Sequence, residues 1–453
     1  MTTAGRRLFG TDGVRGVANR DLTPELALSL GRALGATMGP GATVLIGRDT
    51  RRSGPMLEAA LAAGIASTGA DALLAGVLPT PAIAELVPAL GAHAGAVISA
   101  SHNPFPDNGI KLIGPDGFKL DDAREAAVEA AMDDEGERPE GAGLGDVRTV
   151  DDAATRYVEA LVARLAVDLS GLSVVLDCAN GATHAVAPEV MRRLGARLSV
   201  IHAAPDGVNI NRDCGSTHLE QLQAAVRSGG HDVGLAFDGD GDRVLAVDAG
   251  GAVVDGDQIL AVLALHMKDA GELAHDTVVT TTMTNLGFRR AMAGAGVTVR
   301  WTDVGDRYVL EEMQRGGFVL GGEQSGHLIN LRSGPTGDGL ATGLMLLGAL
   351  VASGRSLADA GAVMRRLPQR LVNIPDVRKA DLPAADAVWA EVRACEEALG
   401  EDGRVVVRAS GTEPLVRVMV EAPTAEECTG WCDRIAAVVA RELGEPASPD
   451  RGR

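Results

Sequence analysis

The chain contains the stretch Asp238-Gly239-Asp240-Gly241-Asp242-Arg243, which directly follows the apolar run Val233–Phe237. Alternate side chains of an extended loop point to the same side, so the three aspartates would converge there. The intervening glycines allow the tight backbone bend that convergence requires. Mg²⁺ in proteins keeps few carboxylate ligands and completes its coordination with phosphate oxygens. The stretch therefore predicts a magnesium site, with Asp238, Asp240 and Asp242 as ligands, that accepts a phosphoryl group.

Two other interpretations of this stretch are weaker. An EF-hand calcium loop needs glycine at its sixth position and glutamate at its twelfth, where this chain has Arg243 and Ala249. A solvated acidic turn is compatible with the Asp-Gly pairs. Three like charges held together repel one another, however, and a simple turn has no need of them. We therefore favour the metal site.

The same pattern, an apolar strand followed by a polar loop, occurs four times along the chain. The predicted strands are 94–98, 233–237, 318–320 and 405–407, and their loops are 99–104, 238–243, 322–327 and 408–414. Amphipathic patterns between them predict helices, for example at 24–38, 55–67, 153–165 and 382–399. Alternating strands and helices indicate α/β domains with largely parallel sheets. Ligands bind such sheets at the carboxyl ends of the strands.

Shifts in composition divide the chain into four predicted domains. They occur near 133–146, 250–251 and 365–375. We expect mixed α/β domains at 1–150, 151–250 and 251–367, a smaller α+β domain at 368–453, and the four loops around one central cleft. The Pro- and charge-rich tail 445–453 is expected to fray. The uncharged stretch 339–354 is too short to span a bilayer and predicts a buried helix.

Charge and cysteine content limit the classes of partner and compartment. The chain has 453 residues and a net charge of −19, which argues against nucleic acid or an anionic membrane as partner. An anionic substrate would therefore have to be bound by locally clustered arginine side chains, because the net charge of the chain repels it. The five cysteines include no Cys-x-x-Cys pair and fit a reduced, cytoplasmic compartment. The first ten residues contain no apolar core typical of a signal peptide.

The first loop presents Ser101 beside His102, and Lys111, one of only four lysines, follows it. The loop could be an ordinary serine-rich turn. No Gly-x-Ser-x-Gly motif surrounds the serine, so a hydrolase triad is not indicated. A serine can instead carry a phosphoryl group, and the aspartate stretch would supply the metal for it. A further arginine, Arg15, lies in the glycine-rich segment 9–16 and is suited to stabilise phosphoryl charge.

Two further loops carry groups suited to a phosphorylated sugar. The last loop combines an arginine, two hydroxyls and a glycine, as an anion site would, although a capped turn is an alternative. The residues concerned are Arg408, Ser410, Gly411 and Thr412, with Arg417 placed to return on the next strand. In the third loop Glu323 and Ser325 can bind sugar hydroxyls or an amine. His327 is either a general acid or base or a structural residue.

Taken together, the loops 99–104, 238–243, 322–327 and 408–414 resemble the four signature loops of the α-D-phosphohexomutase superfamily, in order and over essentially the whole chain. The segment 9–16 and the glutamine of the third loop are most similar to the bacterial phosphoglucosamine mutase branch. The resemblance implies three similar α/β domains, a smaller C-terminal domain, one Mg²⁺ and a catalytic phosphoserine at Ser101, which would also contribute to the metal site.

The resemblance further implies the reaction. Glucosamine 6-phosphate would be converted to glucosamine 1-phosphate through a bound 1,6-bisphosphate, on the route to UDP-N-acetylglucosamine and peptidoglycan. The catalytic group would comprise Ser101, Arg15, His102, Lys111, Arg243 and His327. The same chemistry on glucose or mannose phosphates is the main alternative, and a non-catalytic sugar-phosphate-binding protein is a weaker one. A homodimer is left open, and neither nucleic acid nor membrane is an expected partner.

Overall fold

In a computed structural model of the chain, residues 8–10, 12–133, 136, 138–410 and 415–444 are described. They form two compact units, one comprising residues up to 283 together with 296–363, the other comprising 284–295 together with residues from 364 onward. The predicted tail 445–453 lies outside the described residues, as do parts of the segments 9–16 and 133–146.

The first sheet of the larger unit is mixed. Its strands, within the described ranges, are β1 (Val14–Val17), β2 (Thr43–Arg48), β3 (Asp71–Val77), β4 (Ala94–Ile98), β5 (Asp107–Ile113) and β6 (Val147–Thr149). Their order is β1-β5-β4-β2-β3-β6, and β5 runs antiparallel to both of its neighbours. The helices of this region are α1 (Pro24–Met38), α2 (Gly54–Ala66), α3 (Thr80–Ala89) and α4 (Asp122–Ala131). Helix α1 begins as predicted, because Thr23 caps it and Pro24 occupies its first turn.

The second sheet has the order β11-β10-β9-β7-β8. Its strands are β7 (Ser173–Asp177), β8 (Arg197–Ile201), β9 (Val233–Phe237), β10 (Val244–Asp248) and β11 (Val253–Val254). The associated helices are α5 (Ala153–Leu165), α6 (Val186–Arg193), α7 (Glu220–Gly229) and α8 (Gly256–Asp269). The expected domain break at 250–251 lies in the turn that joins β10 to β11, so this sheet continues beyond it.

The third sheet follows the same plan with the order β13-β12-β14-β15. Its strands are β12 (Thr277–Thr281), β13 (Thr298–Thr302), β14 (Leu320–Gly322) and β15 (Leu328–Asn330). Between and after them lie α9 (Leu286–Gly294), α10 (Asp306–Gly316), α11 (Gly339–Ser353) and α12 (Leu357–Gly361). Strand β14 begins two residues later than the predicted strand, because the Phe318 N–H closes the end of α10 by bonding to the Met313 carbonyl.

The smaller unit contains an antiparallel sheet and the helix α9. The strands β16 (Gln369–Pro375), β17 (Arg404–Ala409) and β18 (Leu415–Glu421) pair in the order β16-β18-β17, with α13 (Asp386–Leu399) and α14 (Ala425–Leu443). The predicted helix 382–399 starts later, at Asp386, because Pro383 lies in a preceding 3₁₀ turn. Buried Val416, Val418 and Val420 of β18 contribute to the core of this unit.

The described structure confirms the predicted α/β class of the larger unit, whose mixed sheets contain more parallel than antiparallel strand pairs. Each functional loop joins a strand to an antiparallel return strand: β4 to β5, β9 to β10 and β14 to β15. The pair β17 and β18 repeats this arrangement in the smaller unit. The predicted buried helix is α11, and among the described residues no helix combines the length and apolar character that a bilayer crossing requires.

Helix α11 starts at Asp338, a half-buried carboxyl whose titration should make stability depend on pH. Asp338 accepts hydrogen bonds from the Ala341 N–H at 2.8 Å and the Tyr157 hydroxyl at 2.9 Å, and burial raises its pKa from 3.8 to about 6. The folded state therefore holds this proton more tightly than the unfolded chain, so its contribution to stability is lost as pH rises through about 6. Relative to wild type, Asp338→Asn should gain about 2 kcal/mol in free energy of unfolding between pH ~4.5 and ~7.5.

Urea denaturation of both proteins at the two pH values measures this change. Asp121→Asn is the matched control, because Asp121 caps α4 in the same way but is exposed. An equal difference between Asp338→Asn and wild type at both pH values would contradict the assignment.

Candidate active site

Ser101 lies in the loop after β4 with its side chain fully engaged. Its Oγ donates to Asp238 Oδ2 at 2.5 Å, and its N–H donates to Ser99 Oγ at 3.0 Å. The residue is 1% exposed and has φ of 50°, a left-handed conformation that is uncommon for serine. Such strain persists only where surrounding contacts enforce it. The structure thus brings Ser101 directly to the aspartate stretch, which we call the aspartate loop (238–243).

The enforcing contacts come from Arg51, a residue that sequence analysis missed. It is completely buried, and each of its five N–H donors has an acceptor. Nε donates to Asp49 Oδ2 at 2.8 Å, while the two terminal nitrogens donate to the carbonyl oxygens of Ser101, Asn103, Pro104 and Asp107. Asp49 also accepts from Ser99 Oγ at 2.6 Å. This buried guanidinium therefore fixes the course of the whole Ser101 loop.

Substitution of Arg51 by lysine should destabilise the protein although charge is conserved. A lysine ammonium offers three donors in place of five, so at least two of the five acceptors lose their hydrogen bond to this side chain. At roughly 1–3 kcal/mol for each lost bond to a charged group, the free energy of unfolding should fall by roughly 2–6 kcal/mol. Chemical denaturation measures the change, with exposed Arg52→Lys as the matched control. Equal free energies of unfolding for the two variants would show that the hydrogen bonds of Arg51 contribute little to stability.

The aspartate loop is a compact turn, not the extended segment that the sequence suggested. The Gly241 N–H bonds back to the Asp238 carbonyl at 3.2 Å, and Gly241 has φ of 72°. A Cβ on Gly239 would lie 2.5 Å from the Ser101 carbonyl oxygen, so the close approach of the two loops requires glycine there. One oxygen of each aspartate lies within 4.8 Å of the others. The predicted convergence is present, and a turn produces it.

The carboxylates of this loop are suited to a hard cation. Asp240 Oδ2 accepts from Thr80 Oγ1 at 2.6 Å and from Lys111 Nζ at 2.9 Å. Among the described residues neither Asp240 Oδ1 nor Asp242 Oδ1 has a hydrogen-bond partner, although both atoms are buried. Buried carboxylate oxygens without donors are costly, and a cation would satisfy them. An all-oxygen donor set of this kind fits Mg²⁺.

The surroundings of Asp238 and Asp242 shift their pKa values in opposite directions. Burial, together with the charges of Asp242 and Asp240, raises the pKa of Asp238 well above its usual range. Burial acts in the same direction on Asp242, but Lys111 and His327 beside it hold its pKa well below the usual range. Asp238, the partner of Ser101, therefore holds a proton more readily than Asp242.

Around the aspartate loop runs a set of alternating charges that we call the charge ring. All six of its contacts join residues distant in sequence, and three of its members were missed by sequence analysis. In order the members are Asp12, Lys111, Asp242, His327, Asp306 and Lys119, which returns to Asp12. The six contacts measure 3.2, 3.7, 3.6, 3.6, 2.5 and 2.8 Å. The ring links segments associated with all three sheets of the larger unit.

Each charged residue of the ring is stabilised in its charged form by its oppositely charged neighbours. Burial opposes the charged form of Lys111, but Asp12 and Asp240 raise its pKa above the ordinary lysine value. Burial likewise opposes the charge of His327, but Asp242 and Asp306 raise its pKa above 6.5. Both predicted residues are thus buried among carboxylates. The position of Lys111 favours holding the carboxylates in place over direct contact with a ligand.

His102 and Arg243 lie beside Ser101. Nδ1 of His102 is 3.4 Å from Ser101 Oγ and 3.3 Å from Arg243 Nη1. Burial, with the charges of Arg243 and Arg15, lowers the pKa of His102 to about 4, so its ring is neutral near pH 7. Since arginine only donates, this Nδ1 acts as the acceptor. Arg15 on β1 pairs with Asp12 of the charge ring.

The third predicted loop joins β14 to β15. Glu323 is largely buried, which raises its pKa, and its Oε1 accepts from the Gly305 N–H at 3.1 Å. Ser325 is exposed at the turn, while His327 belongs to the charge ring. The structure therefore separates these residues: His327 is built into the carboxylate network, and Ser325 remains accessible.

In the smaller unit two predicted arginines form a cross-strand pair. Arg408 on β17 directly opposes Arg417 on β18, so both lie on one face, away from Val416 and Val418. Ser410 is buried, and its carbonyl oxygen accepts from Lys379 Nζ at 2.7 Å. The predicted Gly411 and Thr412 lie outside the described residues. Two opposed guanidinium groups create a local positive potential suited to a phosphate.

Comparison with known proteins places the chain, over nearly its whole length, in one protein family. Models of the phosphoglucomutase/phosphomannomutase family match in order: alpha/beta/alpha domain I at 6–139, domain II at 155–251, domain III at 255–367 and the C-terminal domain at 371–438. A phosphoglucosamine mutase of Mycolicibacterium paratuberculosis is 55% identical over 438 residues, 96% of this chain and 99% of that protein. The phosphoglucosamine mutase of Saccharopolyspora erythraea is 55% identical over 439 residues, with the same two shares. The chain belongs to the phosphoglucosamine mutase branch of this family. It is accordingly a mutase, and the predicted enzyme class, isomerase, is confirmed.

Solved structures share the phosphohexomutase fold. A phosphoglucomutase/phosphomannomutase family protein from Burkholderia thailandensis superposes with a TM-score of 0.82 at 24% identity, over 97% of this chain and 99% of that one. N-acetylphosphoglucosamine mutase of Aspergillus fumigatus, solved with GlcNAc-6P and magnesium, gives a TM-score of 0.67 at 19% identity, over 96% of each chain. The predicted fold class is confirmed.

Proposed function

We propose that this mutase interconverts glucosamine 6-phosphate and glucosamine 1-phosphate, with Ser101 as the carrier of a phosphoryl group. The names of the relatives at 55% identity support the substrate. The observation that carries the mechanism is the 2.5 Å hydrogen bond from Ser101 Oγ to Asp238, within a cluster of three carboxylates suited to a cation. A serine held in this way can bear a phosphoryl group whose charge the cation offsets.

The proposed reaction consists of two transfers. In the first, the bond from phosphorus to Ser101 Oγ breaks, a bond to the free sugar hydroxyl oxygen forms, and the hydroxyl proton is released as Oγ takes one up. The product is the sugar 1,6-bisphosphate. In the second, the other phosphoryl group of this intermediate returns to Oγ with the opposite proton movement. The neutral ring of His102, 3.4 Å from Oγ, is placed to relay the proton.

Charge on the phosphoryl group is offset by cations on this chain and by one metal ion. Mg²⁺ held by Asp238, Asp240, Asp242 and the phosphorylated Ser101 would neutralise phosphoryl charge. Arg243 and Arg15 supply guanidinium groups near His102. Lys111 acts as a positioning residue, because its ammonium lies 2.9 Å from Asp240 and balances the carboxylates.

Sugar and distal phosphate are assigned to the remaining loops. Glu323 and Ser325 would bind the sugar hydroxyls and the amine, and a carboxylate suits the positive charge of glucosamine. Arg408 and Arg417, with Ser410, Gly411 and Thr412, would bind the phosphate that is not being transferred. This group is common to both orientations of the bisphosphate, so one phosphate site serves both transfers.

Removal of Arg408 should weaken substrate binding and leave phosphorylation of Ser101 intact. A charge-assisted hydrogen bond contributes about 1.5–3 kcal/mol, which corresponds to roughly a 10- to 150-fold rise in KM for Arg408→Ala. Steady-state kinetics with glucosamine 6-phosphate measure the change. Arg393→Ala is the matched control, since Arg393 is an exposed arginine of α13 in the same unit. A normal KM together with weakened Mg²⁺ activation would contradict the assignment of this loop.

Turnover on competing substrates tests the function itself. The purified enzyme, with Mg²⁺ and a catalytic amount of sugar bisphosphate, is assayed on the 6-phosphates of glucosamine, glucose and mannose. We expect the highest kcat/KM for glucosamine 6-phosphate. Equal or faster turnover of glucose or mannose 6-phosphate would favour the alternative substrate class. Tight binding of the three sugar phosphates without turnover of any of them would show that the protein is a non-catalytic sugar-phosphate-binding protein.

A further inference from the structure

A second group of metal-ligating side chains lies in the larger unit, apart from the aspartate loop. It consists of Asp177 at the end of β7, His202 just after β8, and Cys214. One ligand atom from each lies within 4.8 Å of the other two. Asp177 and Cys214 are completely buried, and His202 remains partly exposed, which leaves an approach from solvent. The group offers one oxygen, one nitrogen and one sulfur donor.

The surrounding hydrogen bonds orient these donors toward one another. Asp177 is held by the backbone N–H groups of Ala179 and Gly215, each at 2.9 Å. Carboxylate oxygens keep further lone pairs after accepting one such bond. The aspartate is therefore fixed in place and still able to bind a cation.

The tautomer of His202 follows from its neighbour Gln221. The Gln221 amide Nε2 donates to the Asp213 carbonyl at 2.8 Å, so its Oε1 faces His202 Nε2 at 3.1 Å. An amide oxygen only accepts, and His202 Nε2 therefore carries the proton. The other ring nitrogen, Nδ1, faces Asp177 Oδ1 at 3.1 Å. These two atoms attract only with a positive charge between them, which either a proton or a metal ion supplies.

We propose that Asp177, His202 and Cys214 bind a divalent transition-metal ion of the Zn²⁺ class. Mixed sulfur, nitrogen and oxygen donors select Zn²⁺ and its neighbours over Mg²⁺, which prefers the all-oxygen aspartate loop. Tetrahedral coordination at about 2.0–2.3 Å places donor atoms about 3.3–3.8 Å apart. The three donor atoms of the cluster lie within 4.8 Å of one another, so they are already gathered near this spacing. Three protein ligands leave a fourth position for water. The hydrogen bond from His202 to Gln221 is the supporting contact that metal-bound histidines usually make.

The site would brace a strained segment. Between its ligands, residues 202–214 include three non-glycine positive-φ positions, among them His202 at 49° and Asn211 at 58°. Asn211 Nδ2 donates to the carbonyl oxygens of Ser101 at 2.8 Å and Asn103 at 3.0 Å. A metal ion tying both ends of this segment would hold Asn211 in place. We therefore assign the site a structural role, in which bound metal raises thermal stability.

Cobalt spectroscopy of the full-length protein tests the proposal without relying on activity. Co²⁺ is added in the presence of saturating Mg²⁺, which occupies the aspartate loop. The wild type should show the near-ultraviolet charge-transfer absorption of a cobalt–thiolate bond, and Zn²⁺ should abolish it. The absorption should persist in Cys178→Ser, the matched control, because Cys178 is equally buried and adjacent to Asp177 but outside the cluster. It should disappear in Cys214→Ser.

A second variant and a second measurement keep the test decisive if Cys214→Ser folds poorly. His202→Gln keeps the thiol and should weaken Co²⁺ binding at least about tenfold. Zn²⁺ should raise the melting temperature of wild type and Cys178→Ser and leave that of His202→Gln unchanged. Absence of the thiolate band in the wild type would overturn the proposal in favour of a simple His202–Asp177 ion pair. Its persistence in Cys214→Ser would overturn it as well.

Discussion

Ser101→Ala is expected to lower mutase turnover below detection and to change the free energy of unfolding little. The variant lacks the oxygen that forms the phosphoryl bond, and no other group can replace it as the carrier. Structural damage should be small, because Asp238 still accepts from the Arg243 N–H at 3.2 Å and the carbonyl of residue 101 still accepts from Arg51. Incubation with phosphorus-labelled glucose 1,6-bisphosphate, followed by mass spectrometry of the protein, should show one label in wild type and none in the variant.

Ser99→Ala is the matched control for this experiment. Ser99 is a buried serine of the same loop, and its Oγ lies between Asp49 and the Ser101 N–H. We expect this variant to be labelled at Ser101, although its loop is less firmly held. Label on residue 99 of the Ser101→Ala protein would move the carrier by two residues. Normal turnover of Ser101→Ala would end the phosphoserine mechanism.

Removal of Mg²⁺ should have the second-largest effect. Excess chelator should abolish turnover and added Mg²⁺ restore it, because the proposed mechanism needs a cation that offsets phosphoryl charge. Asp240 Oδ1 and Asp242 Oδ1 are buried oxygens suited to hold that cation. Asp240→Asn keeps an oxygen ligand but removes one charge from the cluster. The Mg²⁺ concentration for half-maximal activity should rise roughly 10- to 100-fold in this variant. Activity measured across a Mg²⁺ titration gives both results.

Asp248→Asn controls for general effects of removing a carboxylate from this region. Asp248 ends β10, the return strand of the same hairpin, and its Oδ1 accepts from the Ala252 N–H at 2.8 Å, which an asparagine oxygen can also do. Its Mg²⁺ dependence should match that of wild type. Undiminished turnover of the wild type in excess chelator would show that the reaction needs no metal ion and that the aspartate loop has a structural role.

The features that sequence analysis predicted share a local origin. Helix bounds such as 24–38 and 153–165 were predicted to the residue, because capping and apolar periodicity act within a few residues. The aspartate loop and Ser101 were prominent for the same reason: their chemistry is concentrated in single short stretches. Convergence of the carboxylates was predicted, but from an extended backbone where the chain uses a turn.

The features that were missed arise from contacts between distant segments. Lys119 and Asp306 lie 187 positions apart, and neither stands in a motif that would mark it as half of an ion pair. Arg51 resembles any arginine of a polar stretch until the carbonyl groups of the Ser101 loop surround it. The local sequence pattern also could not predict that β5, β10 and β15 run antiparallel to their neighbours. An apolar run of residues looks the same whether its strand pairs in parallel or antiparallel.

The charge ring has a consequence for how this sequence can change over evolutionary time. Each member has oppositely charged neighbours on both sides, so the loss of one leaves an unbalanced charge in a largely buried place, a strongly unfavourable state. Loss of an adjacent acid and base together, for instance Lys119 with Asp306, removes the imbalance along with the charges. Drift at these six positions should therefore proceed by paired replacements, and a lineage that has lost one member should carry a compensating change at the next.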